Sequence, residues 1–525
     1  AGLCCTPPLP CLCVLFPSHQ MAILWSFALI LLAGLLLCVF ALLLPTVLST
    51  IRNVLINRRL SPHFVTPPTE SWLTGHLSAW QAGRHKTLER FAQEYGDVVH
   101  IRLVSVPFLM ISNADIAKSI LRQNRTMLRS PRTYDHLQTF CAKSIFFIRN
   151  PEEWASTRKM LNPVFTSEVN LSFLFPSMKS GVEEFFARVD STQGRIHDLQ
   201  EDICDLTFEV IMRTSVSLHL PLGTSELNRN VDKILGIYFS RLAAPIPWHY
   251  YLPLPSVRKY QDLVHQAESY IDDIIEKRQA ETKEESRRRG NTDFLDLLLQ
   301  AADNPQMHNV QLPKNWIRDN LLVFITAGQD TTASVLNWAV YNLTQHPDIQ
   351  AKARAEVDSF LKDKGGNRGF DFEDMSSLPY IQAFLMENMR LFPASPAFNR
   401  ETTEDTFIDG RPVPAKTVLL INIWSINRDP REWGETALDF QPERWLGMGI
   451  EEWKNKSFLT FSAGPRVCIG ARFSIVEQTL FLATLLRDYN IECTNVDSPQ
   501  MAASFTFKAN PPIEIQLTRR TPPAL

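Results

Sequence analysis

Cys468 stands in a short run, FSAGPRVCIG (Phe461 to Gly470), that mixes residues able to bend a chain with residues able to bind. Gly464 permits a tight turn that a side chain would block, and Gly470 permits close approach of the backbone to a bulky group. The next stretch, ARFSIVEQTLFLATLL, repeats its apolar residues at three and four, so a helix is expected to begin near Ala471. A sulfur just ahead of a helix meets unpaired amides and the positive end of the dipole, which favours the thiolate. The bland alternative is an ordinary buried free cysteine.

A second run, AGQDTT (Ala327 to Thr332), falls on a helix predicted from about Pro313 to Gln345. Ala327 and Thr331 are four apart and share a face, where Ala327 and Gly328 leave room for a small molecule. Thr331 offers a hydroxyl there, and Asp330 offers a carboxyl that can relay protons. Alone, the run is equally a tolerated helix glycine beside a threonine bonded to its own helix. In MENMRLFP, Glu387 and Arg390 lie three apart and can pair, and Arg444 of QPERW can join them.

These runs, in this order, resemble the cytochromes P450. Phe461, Gly464, Arg466, Cys468 and Gly470 match that family's haem-binding loop, so the resemblance makes Cys468 the metal ligand: the axial thiolate of haem b, pushing electron density toward O–O cleavage. AGQDTT is similar to the oxygen-activating sequence of the central helix, with Thr331 and Asp330 as the catalytic pair. Glu387, Arg390 and Arg444 resemble the structural network that holds the loop, with Trp445 where the family often has phenylalanine. Trp154 and Arg158, in EEWASTRKMLNPVF, resemble a WxxxR pair that contacts a haem propionate. Arg400 and Arg466 are further propionate candidates, since guanidinium forks suit carboxylates.

The resemblance runs from the apolar N-terminal stretch to about Leu517. It implies a mainly α fold with small β-sheets, the triangular P450 prism, preceded by one N-terminal transmembrane helix. It implies insertion of one atom of O2 into an organic substrate, with electrons from an NADPH-cytochrome P450 reductase and with cytochrome b5 as a second donor. Two rivals stand beside it: a haem-thiolate isomerase or dehydratase that activates no oxygen, and a non-catalytic membrane protein that binds haem or lipid. Asp330 and Thr331 disfavour both, since neither needs a proton relay.

The whole chain is consistent with such a scaffold. Its 525 residues, 45% hydrophobic and 21% charged, can bury a large core. A net charge of -3 without a basic stripe sets nucleic acid aside. Of nine cysteines, four crowd into the first thirteen residues and the others are scattered, which is neither a disulfide scaffold nor a zinc pattern. The body is therefore expected to be reduced and cytosol-facing. Residues 1–20 are left as an unassigned leader. Residues 21–48 carry no charge and exceed the about 20 apolar residues that span a bilayer. They read as a single-pass signal anchor in membrane lipid, and Arg52, Arg58 and Arg59 place the rest of the chain on the cytosolic side of the endoplasmic reticulum. Residues 49–68, with Pro62, Pro67 and Pro68, read as a hinge, and 69–525 as the catalytic domain.

Val98 to Ser112 suits a strand hairpin, and Gln279 to Asp293 reads as a charged, solvated loop. Phe146, Phe147, Phe324, Phe398 and Phe505 to Phe507 are candidate pocket residues for a lipophilic substrate, although core packing explains them almost as well. The wording of the loop, FSAGPRVCIGARF, suggests a fungal style, and with it secondary metabolism or xenobiotic oxidation.

Overall fold

A computed structural model describes residues 18–130, 138–220, 223, 225–242, 254–281, 284, 292–302, 315–365, 369–448, 452, 456–495, 499–503 and 506–521. The N-terminal helix α1 (Ser18–Leu60) contains the charge-free stretch. Side chains described there, among them Trp25, Phe27 and Leu29 to Leu32, are exposed. Many others in 21–48 lie outside the described residues, and among the described residues no helix is long and apolar enough to cross a membrane. Helix α1 continues through the first half of the segment read as a hinge. The chain leaves it only at Ser61, one residue before Pro62, because nothing in 49–60 breaks helical geometry.

Of the helices that follow α1 among the described residues, ten frame the site: α2 (Pro151–Thr166), α3 (Glu168–Ser191), α4 (Leu199–Val216), α5 (Glu226–Leu242), α6 (Pro255–Ala280), α7 (Phe294–Ala302), α8 (Trp316–Gln345), α9 (Pro347–Asp363), α10 (Pro379–Leu391) and α11 (Ala471–Asp488). Helix α2 starts where Pro151 occupies the first turn and the Asn150 side chain accepts from the amides of Glu152 and Glu153, both at 2.9 Å. That cap fixes where Trp154 and Arg158 sit. Helix α10 starts at Pro379, and the Glu356 carboxylate of α9 caps the amides of Tyr380 and Ile381 at 2.6 and 3.0 Å.

The expected hairpin forms as β1 (Val98–Leu103) and β2 (Val106–Ile111), paired antiparallel. With β3 (Met127–Leu128), β5 (Ala397–Thr402) and β8 (Val418–Asn422) they make a five-stranded sheet in the order β1-β2-β8-β5-β3, in which β2 and β8 run parallel. A three-stranded sheet joins β4 (Arg195–Ile196), β12 (Ile515–Arg519) and β9 (Tyr489–Cys493). Two hairpins remain: β6 (Thr406–Ile408) with β7 (Arg411–Val413), and β10 (Gln500–Ala503) with β11 (Phe507–Asn510). The main core packs the helices around α8, and a second cluster joins the sheet to Ile56 and Leu60 at the end of α1. Most of the charged run 279–293 lies outside the described residues, but its last residue, Asp293, is buried against Arg278 at 2.8 Å.

Candidate active site

The loop before α11 is built by its backbone. Gly464 has φ +70, and a Cβ there would lie 2.3 Å from the carbonyl oxygen of Leu121, so both conformation and space demand glycine. The turn closes through Val467 N–H to Gly464 O at 3.1 Å and Cys468 N–H to Phe461 O at 2.9 Å. At Gly470 φ is -86, and no described atom lies within 4 Å of an added Cβ. Among the described residues nothing demands glycine there, and the space beside it is open.

The Cys468 side chain offers exposed surface, yet burial dominates its chemistry, the combination expected of a sulfur that faces an internal cavity. Burial raises the thiol, while the amides of Gly470 and Ala471 and the cations Arg158 and Arg129 pull it down. The helix start thus acts as expected but does not win alone; a bound metal ion would deprotonate the thiol. Arg158 donates to the Val467 carbonyl at 2.9 Å, tying α2 to the loop. Trp154 is buried beneath the guanidinium of Arg466, 4.5 Å from its ring centre. Arg466 donates to Asn124 Oδ1 at 2.6 Å and to Ile148 O at 3.0 Å, and its Nη2 has no partner among the described residues. Burial first, then the charge of Arg400, lowers Arg466 to about 10. Two buried guanidiniums acting on one another call for an anion. Together with the Cys468 sulfur, they fit a haem that presents an iron and two propionates.

Helix α8 supplies the other wall. From Leu321 to Asn337 every residue is buried except Ala327, which is exposed, and Gly328 and Thr331, which are partly so. Thr332 Oγ1 lies 3.0 Å from Ser474 Oγ of α11, which brings this face beside the cysteine loop. The Thr331 hydroxyl donates to Ala327 O at 2.7 Å, leaving its lone pairs as acceptors. Gly328 serves another end than the one expected: its Cβ position lies 3.1 Å from Ile211 Cδ1, so it lets α4 pack closely on α8. Asp330 is buried and its carboxyl is raised by that burial, against the pull of Lys508 and Thr506.

Glu387 lies fully buried on α10 and collects Arg390 through two bonds at 2.8 Å, Arg444 Nε at 2.9 Å and the Gln441 amide at 2.8 Å. Arg390 also donates to the carbonyls of Asn427 (2.8 Å), Ala437 (2.5 Å) and Asp439 (3.1 Å). Asn427 reaches Thr460 Oγ1 at 3.0 Å, next to the cysteine loop.

Sequence reasoning missed Arg129, Lys508 and the indole of Trp445. Arg129 and Lys508 belong to no spaced motif, and Trp445 closes QPERW, where its ring was read only as a replacement for phenylalanine and not as a hydrogen-bond donor. Among the pocket candidates, Phe324 packs on Phe165 (4.7 Å) and Phe294 (6.4 Å) as core, and the buried Phe507 packs on His85 (5.3 Å) and Trp424 (5.8 Å). Phe147 is buried against Phe146 at 5.0 Å, Phe398 lies under Arg400, and Phe505 is outside the described residues.

The family model described as "Cytochrome P450" matches residues 65–518. The chain is 30% identical over 458 residues to Cytochrome P450 93B2 of Gerbera hybrida, covering 83% of this chain and 86% of that one. It is 28% identical to Methyltetrahydroprotoberberine 14-monooxygenase of Papaver somniferum (84% and 88% covered) and 26% identical to 3,9-dihydroxypterocarpan 6A-monooxygenase of Glycine max (92% and 99%). These relatives are plant proteins, so the likeness gives the fungal reading no support.

Proposed function

The chain belongs to the cytochrome P450 family, and from that premise we propose how its own residues carry the work of a haem-thiolate monooxygenase acting on small organic substrates. Haem b supplies the oxidising chemistry when bound, and dioxygen and a reductase supply oxygen and electrons. Cys468 holds the metal, while Arg466, Arg400, Trp154 and Arg158 hold the propionate edge. Ala327 leaves space for dioxygen, the Thr331 oxygen accepts a hydrogen bond from the water that carries protons toward it, and Asp330 brings those protons from the solvent side. Glu387, Arg390 and Arg444 keep the loop in register.

The observation that carries this reading is that Cys468, not buried by its neighbours, leads into α11, which the Thr332–Ser474 contact holds beside α8 where Ala327, Gly328 and Thr331 are left unburied. Two plant relatives are named as monooxygenases of polycyclic small molecules, which supports a lipophilic substrate. The uncharged 21–48 stretch, with its exposed apolar side chains, supports an anchor in the endoplasmic reticulum membrane facing the cytosol, with lipid and cytochrome b5 as further partners. The test is the carbon monoxide spectrum of the reduced protein: the wild type gives the red-shifted band of thiolate-bound haem, and Cys468→His loses that shift. A Cys468→His protein with the wild-type band would overturn the assignment. A glycosylation acceptor at the C-terminus stays unmodified if the domain is cytosolic.

A further inference from the structure

Asp330 is buried, and its Oδ2 has no hydrogen-bond partner among the described residues. A carboxyl so placed cannot deliver protons unless something connects it to solvent and sets its charge. Three elements converge on it. Helices α4 and α5 are tied to the adjacent residue: Gln329 donates to Asn228 Oδ1, Asn228 donates to Asp205 Oδ1 at 3.0 Å, and the Thr207 hydroxyl donates to Gln329 O at 3.1 Å. Asp232 lies one turn after Asn228, on the same face of α5. The β10–β11 hairpin is pinned to α8 because the Phe507 carbonyl accepts from Ser334 Oγ at 2.9 Å and Trp338 Nε1 at 3.3 Å.

That pin delivers Thr506 and Lys508. Thr506 is buried close enough to lower the Asp330 carboxyl, although its Oγ1, like Asp330 Oδ2, meets no partner in full hydrogen-bonding geometry among the described residues. Lys508 is partly buried and acts electrostatically on Asp330, Asp232, Cys204 and Asp198; Asp232 feels Lys508, Asp330, Asp205 and Glu201. Lys508 thus acts on both carboxyls, and Asp232 is only half-buried.

We propose that Lys508 and Asp232 are positioning residues for the oxidation: Lys508 fixes the charge of Asp330, and Asp232 passes it protons taken from solvent. This rests on Asp330 being the proton donor of the reaction. In each transfer Asp232 takes one proton from water, gives it to Asp330 and returns to carboxylate; no electron moves. Burial, opposed by Lys508, raises Asp232 to about 6, so its protonated form is populated near neutral pH.

The holoenzyme is the object to test, with the reduced carbon monoxide spectrum showing that each variant is folded. Lys508→Met is expected to lower the product formed per NADPH by about tenfold and release hydrogen peroxide instead, with Lys508→Arg restoring most of it. The assay uses whichever small lipophilic compound gives the largest shift of the haem band. Asp232→Asn is expected to raise the solvent isotope effect and abolish the pH limb near 6. Infrared titration, independent of turnover, should lose one carboxyl band near pH 6 in Asp232→Asn and move it to higher pH in Lys508→Met. Wild-type coupling and titration in Lys508→Met, or equal loss in the Met and Arg variants, overturns the proposal. An Asp330→Asn enzyme that runs like wild type removes both this inference and the reading beneath it.

Discussion

The indole Nε1 of Trp445 donates to Glu387 Oε2 at 2.9 Å, inside the core and beneath the cysteine loop. The carboxylate therefore accepts from five donors on four residues, two of them guanidinium groups. An ionised carboxylate with both oxygens fully engaged can be held without water, whereas one left short costs its desolvation. Where the family often has phenylalanine, this chain uses the larger ring to close the acceptor set.

Losing Glu387 strands two buried cations, so Glu387→Ala should yield protein that takes up no haem, since breaking a buried pair costs roughly 3–5 kcal/mol. Trp445→Phe keeps the shape and removes one bond to a charged group, which is worth about 1.5–3 kcal/mol. It should bind haem with a normal spectrum and melt several degrees lower. Equal haem loss in both variants would show that Trp445 acts by packing rather than by its N–H.

Gly464→Ala tests the loop. With φ +70 and the Leu121 carbonyl 2.3 Å from the new Cβ, the turn must open. The thiolate-haem band should disappear while far-ultraviolet circular dichroism keeps its helical signal. Gly470→Ala meets no described protein atom within 4 Å, so any loss of haem affinity there reports contact with the cofactor itself.

How far the sequence could be read depends on spacing. The hairpin at 98–112, the long helix ending at Gln345 and the helix starting at Ala471 were legible because periodicity is local. Glu387, Arg390 and Arg444 were legible through two short motifs. Lys508 and Arg129 were not, because each reaches the site from a distant strand or loop and carries no pattern of its own. Phe324 and Phe507 misled for a related reason: an aromatic near a motif packs in the core as readily as in a pocket. The hinge was placed too early because its prolines mark where a helix must stop, not where it weakens.

Thr331 presents a specific expectation. Its hydroxyl proton is committed to Ala327 O, so the oxygen acts through its lone pairs, as the acceptor for the water that carries protons to dioxygen. Thr331→Ser should keep coupling near wild type; Thr331→Ala should divert most electrons to hydrogen peroxide, with a turnover loss on the order of tenfold. Product yield per NADPH measures this, and an alanine variant as well coupled as the serine one refutes it.

His100 sets an acid limit on the junction between α1 and the sheet. Asn57 spends its amide protons on Asn53 O (2.9 Å) and Ser105 O (3.2 Å), so its Oδ1 must accept from His100 Nε2 at 2.9 Å. Nδ1, 3.0 Å from the Thr66 hydroxyl, is then the acceptor, and the ring is neutral. Burial first, then the charges of His76 and Arg102, lower it to about 4 from 6.5. Because the folded value lies below the unfolded one, this contribution is complete above pH 6.5 and is lost as pH falls toward 4. The loss reaches ~3 kcal/mol at about 1.4 kcal/mol per pH unit. His100→Gln keeps an amide donor and an acceptor but cannot titrate. Urea unfolding between pH 7 and 4 should therefore show a shallower decline for the variant, and parallel declines would exclude His100 as the group responsible.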